Sequence, residues 1–394
     1  MARVIWMFIL LWQILLPGAA AADTAEPAAA SPAGELMRQQ IKQLDTSRVE
    51  QFWKKTLQEY KGYLPDVKSP GFFPLLLGDG ELTFPGVAKG MLKFFFHEIW
   101  TNGKLLSSII IITVLAMILE TMQNAFERNA VSTVAYSIIY LVLMVLAMNS
   151  FHVAVTYAKE AITKMSDFML AMIPLVLALL AAMGNLASAA MFHPMIVFMI
   201  NISGIMISTV VFPLIFLSAL LAIASLFSER YRVTQLATLL RNIAMGALGS
   251  FFTIFLAIVS IQGATTAVTD GMTIRTAKYL TGNFIPVVGR MFSDATDTVM
   301  GASLLVKNTV GLAGVVILLI ICAFPAMKIL VLALIYNLSS AVLQPLGNSP
   351  IIGALGTIGK SLIYVFAALA AVGLMFFLAI TIIISAGNIS MMVR

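Results

Sequence analysis

Beyond Lys104 the chain is a run of long apolar stretches with few charges between them, and this limits what it can fold into more than any other feature. Residues 105–394 carry 21 charged side chains, whereas residues 23–104 carry 20, ten basic and ten acidic. A soluble domain has charges at about a quarter of its positions; this chain has 11% charged and 60% hydrophobic residues. The chain therefore divides near Lys104 into a wet part and an oily part. In hydrocarbon every backbone polar group must be satisfied within the protein, which leaves helices or closed barrels. Uninterrupted apolar runs of about 20 residues select helices. The expected fold is all-α: a polytopic helical membrane protein.

The N-terminus reads as a secretory signal peptide over 1–22. Arg3 supplies the positive region, Val4 to Leu16 the apolar core, and Pro17-Gly18 the break. Ala20-Ala21-Ala22 offers a small-residue cleavage site; an uncleaved anchor is the alternative. Both readings start residue 23 on the far side of the membrane, so 23–104 is expected to be an extracytoplasmic N-terminal region. Residues 23–34 form an Ala/Pro/Ser-rich linker that can build no core. After Leu36, Ile41 and Leu44, Ser47 and Glu50 have the spacing of a capping box. Phe52, Trp53, Leu57 and Tyr60 then form one aromatic face of an amphipathic helix that Gly62 and Pro65 end. That face either packs on the chain's own neighbours or contacts a partner. Phe94, Phe95, Phe96 and Trp100 follow just before the first span, where an aromatic belt is expected.

About seven or eight spans are predicted in 105–394. They lie near 105–122, 131–157, 168–184, 193–210, 212–227, 243–269, 309–337 and 361–387, with Pro213 dividing the fourth from the fifth. Arg128 and the segment 228–242, with Arg230, Arg232 and Arg241 against Glu229, mark the cytoplasmic side. The connection 270–308 is too apolar for a free loop and too polar for a plain span. Gly282, Pro286 and Gly289 break it, and Arg290, Asp294 and Asp297 give it charge, so a re-entrant or interfacial segment is expected.

Several chemistries are excluded. No GxSxG, HExxH or Walker A motif occurs. Gly353, Gly356 and Gly359 before Lys360 and Ser361 have the wrong spacing for a phosphate loop and suit close helix packing instead. The lone Cys322 can make no intramolecular disulfide, and His97, His152 and His193 are scattered. No catalytic residue, cofactor or metal site can be named. The basic residues form no stripe suited to nucleic acid. Intramembrane polar positions are Glu120, Asn149, His152, Asn201, Gln262, Asn337 and Gln344, of which the amides suit interhelical hydrogen bonds. Near absence of charge in mid-span argues for a structural component over a proton-driven carrier. The broken helices around Pro213, Pro325 and Pro345 leave a small-solute permease as the alternative.

Three stretches carry a family resemblance: LDTSRVEQFWKKTLQEYKGYLP at 44–65, GNFIPVVGRMFSDATDTVMGASLLVKNTVG at 282–311, and AVLQPLGNSPIIGALGTIGK at 341–360. They resemble the stage III sporulation protein AE family of endospore-forming bacteria. The resemblance implies a non-enzymatic membrane subunit of a channel between mother cell and forespore that supports late forespore gene expression. It also implies companion proteins, including a secretion-type ATPase and a ring-forming membrane protein, with membrane lipid as the other partner. The location implied is the mother-cell-derived membrane around the forespore.

Overall fold

A computed structural model describes residues 45–65, 84–125, 130–227, 233–284, 288–347 and 349–392. The signal peptide, the linker, and Leu36, Ile41 and Leu44 lie outside them. Nine α-helices occur among the described residues. Two precede the oily part: α1 (Ser47–Glu59) and α2 (Phe84–Thr101). The rest are α3 (Gly103–Ala125), α4 (Ala130–Ala182), α5 (Leu186–Met206), α6 (Phe212–Phe227), α7 (Thr234–Phe284), α8 (Val288–Leu343) and α9 (Pro350–Met392). A π-helical turn, Ile207–Val211, joins α5 to α6.

Six stretches are long and apolar enough to cross a bilayer: Gly103–Met122, Val134–Ala182, Leu186–Leu226, Thr234–Thr273, Val299–Leu346 and Pro350–Ala386. Two expected boundaries are absent. The predicted break at 158–167 is helix, so the spans at 131–157 and 168–184 are one rod, α4. The predicted break at Pro213 is also helix. A proline cannot donate to the i−4 carbonyl, and its ring crowds it. The π turn just before Pro213 absorbs the misfit: Phe212 N–H reaches back to Ile207 O, five residues away. Pro174, Pro194 and Pro325 likewise sit inside continuous helices. Eight predicted spans thus become six. Each correction removes one crossing, so the two cancel in direction, and 228–233 stays at the same end of the bundle as 126–129.

The rods run up and down. Antiparallel α8 and α9 meet along their lengths through small residues. Gly311 faces the Ile384 side chain, Gly373 faces Cys322 Sγ, and Gly359 faces Asn337, each with no room for a Cβ. Close backbone approach at small residues is how helices associate without a hydrophobic driving force. Antiparallel α4 crosses α8 where Gly314 meets Met172 and where Tyr336 Oη donates to Ser150 Oγ at 2.8 Å. Tyr140 Oη donates to Ile223 O (2.9 Å) and Ser218 Oγ to Ala237 O (2.6 Å), tying α4 to α6 and α6 to α7. The α8–α9 connection turns through Gln344–Leu346 and Gly347, whose φ of 147° is open only to glycine.

α3 is far shorter than its neighbours, and α2 continues it. Phe94 of α2 meets Phe324 of α8 edge-on at 4.9 Å, and Met117 of α3 reaches Gly347 at the end of α8. α2 and α3 thus follow α8 in the same direction as one interrupted rod.

Candidate functional site

The end of the bundle opposite 228–233 contains the least expected chemistry. α4 stops there in a Schellman turn. Gly184, with φ 82°, donates its N–H to Ala181 O, and Asn185 N–H reaches Leu180 O. α5 begins at the next residue. The cap position, Asn185, makes no side-chain hydrogen bond to the helix. Asp270 of α7 does that work from outside: its two oxygens accept from the N–H groups of Ala187 and Ser188, each at 3.0 Å. These are the second and third residues of α5, the donors that an N-cap side chain normally satisfies. A carboxylate there also meets the positive end of the helix dipole. Asp270 is only 2% exposed.

Lys307 of α8 is its counterpart on the same end. It is fully buried, and its Nζ donates to Ile384 O and to Asn388 Oδ1 of α9, each at 2.7 Å. Ser188, Ser303 and Thr266 are buried in the same stretch of the bundle. Each buried charge is answered by neutral dipoles of a neighbouring helix. Asp270 ties α7 to the α4–α5 turn, and Lys307 ties α8 to α9. The two arms of the α7–α8 hairpin are therefore both pinned where they leave the bundle.

That hairpin carries the residues the sequence singled out. Gly282 lies in the last turn of α7, and Gly289, Arg290, Asp294 and Asp297 lie in the first turns of α8; Pro286 lies outside the described residues. The irregular backbone expected over 270–308 is instead helix up to Phe284 and again from Val288. Asp270 and Lys307 escaped the sequence reading because 270–308 was treated as a connection, so its charges were not counted as intramembrane.

The aromatic face of α1 lies against the chain's own bundle. Trp53 is fully buried and Tyr60 nearly so, while Phe52 and Leu57 are half-buried. Phe52 meets Phe168 of α4 edge-on at 6.0 Å, and Tyr60 stacks on Phe324 of α8 at 3.9 Å and 9°. Burial pushes the Tyr60 phenol well above the ordinary tyrosine range, and the adjacent Glu59 carboxylate adds to it. Lys164 of α4 closes the edge through an ion pair with Glu59 at 2.7 Å. Behind α1, the Tyr63 carbonyl lies so close to Gly90 of α2 that no side chain could stand there. Lys93 Nζ donates to Gly62 O at 3.1 Å.

The start of α1 differs from the capping box read in the sequence. Thr46 occupies the cap position, and Glu50 N–H donates to Thr46 O. Asp45 takes the Ser47 N–H (3.1 Å) and its hydroxyl, so the Ser47 oxygen is not the cap. Those bonds, the hydroxyl first, hold the Asp45 carboxyl below its usual value. Glu50 pairs forward with Lys54 at 2.9 Å, not back to the cap.

Among the described residues no group of three or more metal-ligating side chains occurs. The two best-formed crevices are apolar. One is lined by residues such as Tyr140, Ile223 and Leu355, the other by Met172, Ile196 and Ile383.

The comparisons with known proteins agree with one another. The family model described as Stage III sporulation protein AE matches residues 71–387, which takes in α2 and the whole bundle. The chain is also 53% identical over 400 residues to a protein of Bacillus subtilis (strain 168) named Stage III sporulation protein AE, with 100% of each chain covered. No solved structure matches.

Proposed function

Because the chain belongs to the stage III sporulation protein AE family, we propose that it is a non-enzymatic, multi-pass subunit of the sporulation channel between mother cell and forespore. In this role it supports late forespore gene expression. The observation that carries the reading is the use of its buried polar groups. Asp270, Lys307, Tyr140, Tyr336 and Ser218 all join one helix to another, as a load-carrying membrane component requires. The continuous backbone at Pro213 and Pro325 takes away the broken helices that had motivated a permease.

The N-terminal region faces the space between the two membranes, and the 126–129 and 228–233 ends face the mother-cell cytoplasm. Arg128, Arg230 and Arg232 support that orientation. With six crossings, the C-terminus returns to the N-terminal side. The α7–α8 hairpin tip then lies on that side too, available to a ring-forming membrane protein of the complex. The secretion-type ATPase approaches from the cytoplasmic end.

Deleting the gene should block spore development after engulfment and leave vegetative growth intact. Normal sporulation in the deletion strain would refute the proposal. Photo-crosslinkers at Arg290 and Asp294 should capture a membrane partner in sporulating cells, and capture of none would refute the contact assigned to the hairpin.

A further inference from the structure

One group of cations in the bundle holds no helix in place. Near the start of α7, the Arg241 guanidinium lies over the Tyr364 ring of α9, 5.4 Å from its centroid. Lys360 lies four residues before Tyr364, so the two share a face of α9. Lys360 is exposed, and Arg241 and Tyr364 are half-exposed. Among the described residues neither cation takes part in an ion pair.

Lys328 makes the useful contrast. It too lies over a tyrosine, Tyr157 at 4.9 Å, but there the Glu98 and Glu160 carboxylates are close enough to act on the same ring. The Arg241 group has apolar neighbours instead. Leu239 and Ile243, which flank Arg241 on α7, are 54% and 48% exposed. All of these residues fall within stretches apolar enough to cross a bilayer, Thr234–Thr273 and Pro350–Ala386. Arg241 is seven residues into α7, about 10 Å from its start at 1.5 Å per residue, within reach of the interface for a long side chain.

Two cations with no carboxylate, bordered by exposed leucine and isoleucine, fit a ligand with an anionic head and an apolar body. We propose that Arg241, Lys360 and Tyr364 bind the phosphodiester headgroup of an anionic phospholipid, whose acyl chains lie along Leu239 and Ile243. Arg241 supplies a forked donor pair to the phosphate oxygens and Lys360 a second charge. The Tyr364 ring holds the guanidinium in place. Basic groups between membrane helices near the cytoplasmic face are suited to such headgroups. The inference rests on the membrane-embedded bundle alone and stands or falls independently of the channel role.

The test uses the purified full-length protein in phosphatidylcholine nanodiscs, with phosphatidylglycerol added as the probe and bound lipid counted by native mass spectrometry. The wild type should retain phosphatidylglycerol in preference to phosphatidylcholine. Arg241→Gln with Lys360→Gln should weaken that retention about tenfold to thirtyfold, at roughly 1 kcal/mol per surface cation. Arg241→Lys should keep most of it, and Lys328→Gln should leave it unchanged. Inorganic phosphate in large excess should not displace the lipid; displacement would mean a free-phosphate site and overturn the proposal. Equal retention of the two lipids, or undiminished retention in the double variant, would overturn it as well. If the double variant does not fold, the single Gln variants should each lose about threefold to fivefold, and no loss in either has the same force.

Discussion

Helix α1 and the far end of the bundle are both attached by buried polar and aromatic contacts, but by different logic. α1 is a soluble-type helix: one face buries Val49, Trp53 and Thr56, and the other keeps Arg48, Lys54 and Lys55 in water. Its attachment comes mainly from rings, Phe52 on Phe168 and Tyr60 on Phe324, with one ion pair at the rim. At the far end the rings are replaced by charges. Asp270 and Lys307 bind backbone or amide groups of other helices in surroundings where water is scarce. A ring contact can be released and its surface rewetted or covered by another apolar group. A buried charge that loses its partners has no such alternative. α1 is thus an attachment that can be detached as a unit, whereas the Asp270 and Lys307 contacts are part of what makes the bundle one body.

The largest effect should come from Trp53→Ala. Truncating a fully buried tryptophan costs about 3–5 kcal/mol. If α1 is a separable unit, that loss appears as release of α1: limited proteolysis should cut near Lys54 and Lys55 while the thermal midpoint of the bundle stays put. A fall in the bundle midpoint of the same size would erase the distinction between the two regions.

Asp270→Ala should do the reverse. It removes a charged acceptor from two buried N–H groups and should cost about 2–4 kcal/mol, read as a lower thermal midpoint with α1 still protected from protease. Asp270→Asn keeps one oxygen and should recover about half of that. Lys307→Met fills nearly the same volume without the donors and should fall between the two. Resistance of the bundle to all three would show that the helix ends find other partners.

How much of this was legible in the sequence follows the same division. The face of α1 and its end at Gly62 were readable, because an amphipathic helix between water and a core declares itself by period and by its stop residues. The start was misread by one residue, since Asp45 competes for the Ser47 hydroxyl that the capping box required. The oily part announced its class but not its breaks. A charged patch such as Lys159 to Asp167 looks like a loop in a hydropathy trace. In the fold it is the middle of α4, with Lys164 turned toward α1. The amides marked as interhelical glue were also misjudged: Asn201 and Asn337 bond back to their own helices, at Val197 O and Ala333 O. The links between helices come from Tyr140, Tyr336 and Ser218, residue types whose hydroxyls give no signal in a sequence of this composition.

Glycine substitutions sharpen the comparison from the bundle's side. Gly311→Leu and Gly373→Leu would each push a side chain into Ile384 or Cys322 across the α8–α9 seam. Overpacking of this kind costs about 1–3 kcal/mol. The loss should appear in the bundle midpoint alone. At Gly246, where the structure leaves open space, Gly246→Leu should change stability little. A loss at Gly246 as large as at Gly311 would mean that α7 is packed by something beyond this chain.

The smallest effect concerns the rim of α1. Glu59 and Lys164 are 38% and 35% exposed at their side chains, so water and salt screen their attraction. Glu59→Gln should cost less than about 1 kcal/mol and leave α1 docked. Its effect should shrink further in high salt, because screening at molar salt acts over about 3 Å. Tyr60→Phe, which keeps the ring against Phe324, should be similarly mild. The double variant should still protect α1 from protease, because Trp53 and the Phe52–Phe168 contact remain. If Glu59→Gln alone released α1, the attachment would be electrostatic and not a matter of rings. The two regions would then be held by one kind of force at different depths, and the separability of α1 would become a question of ionic strength.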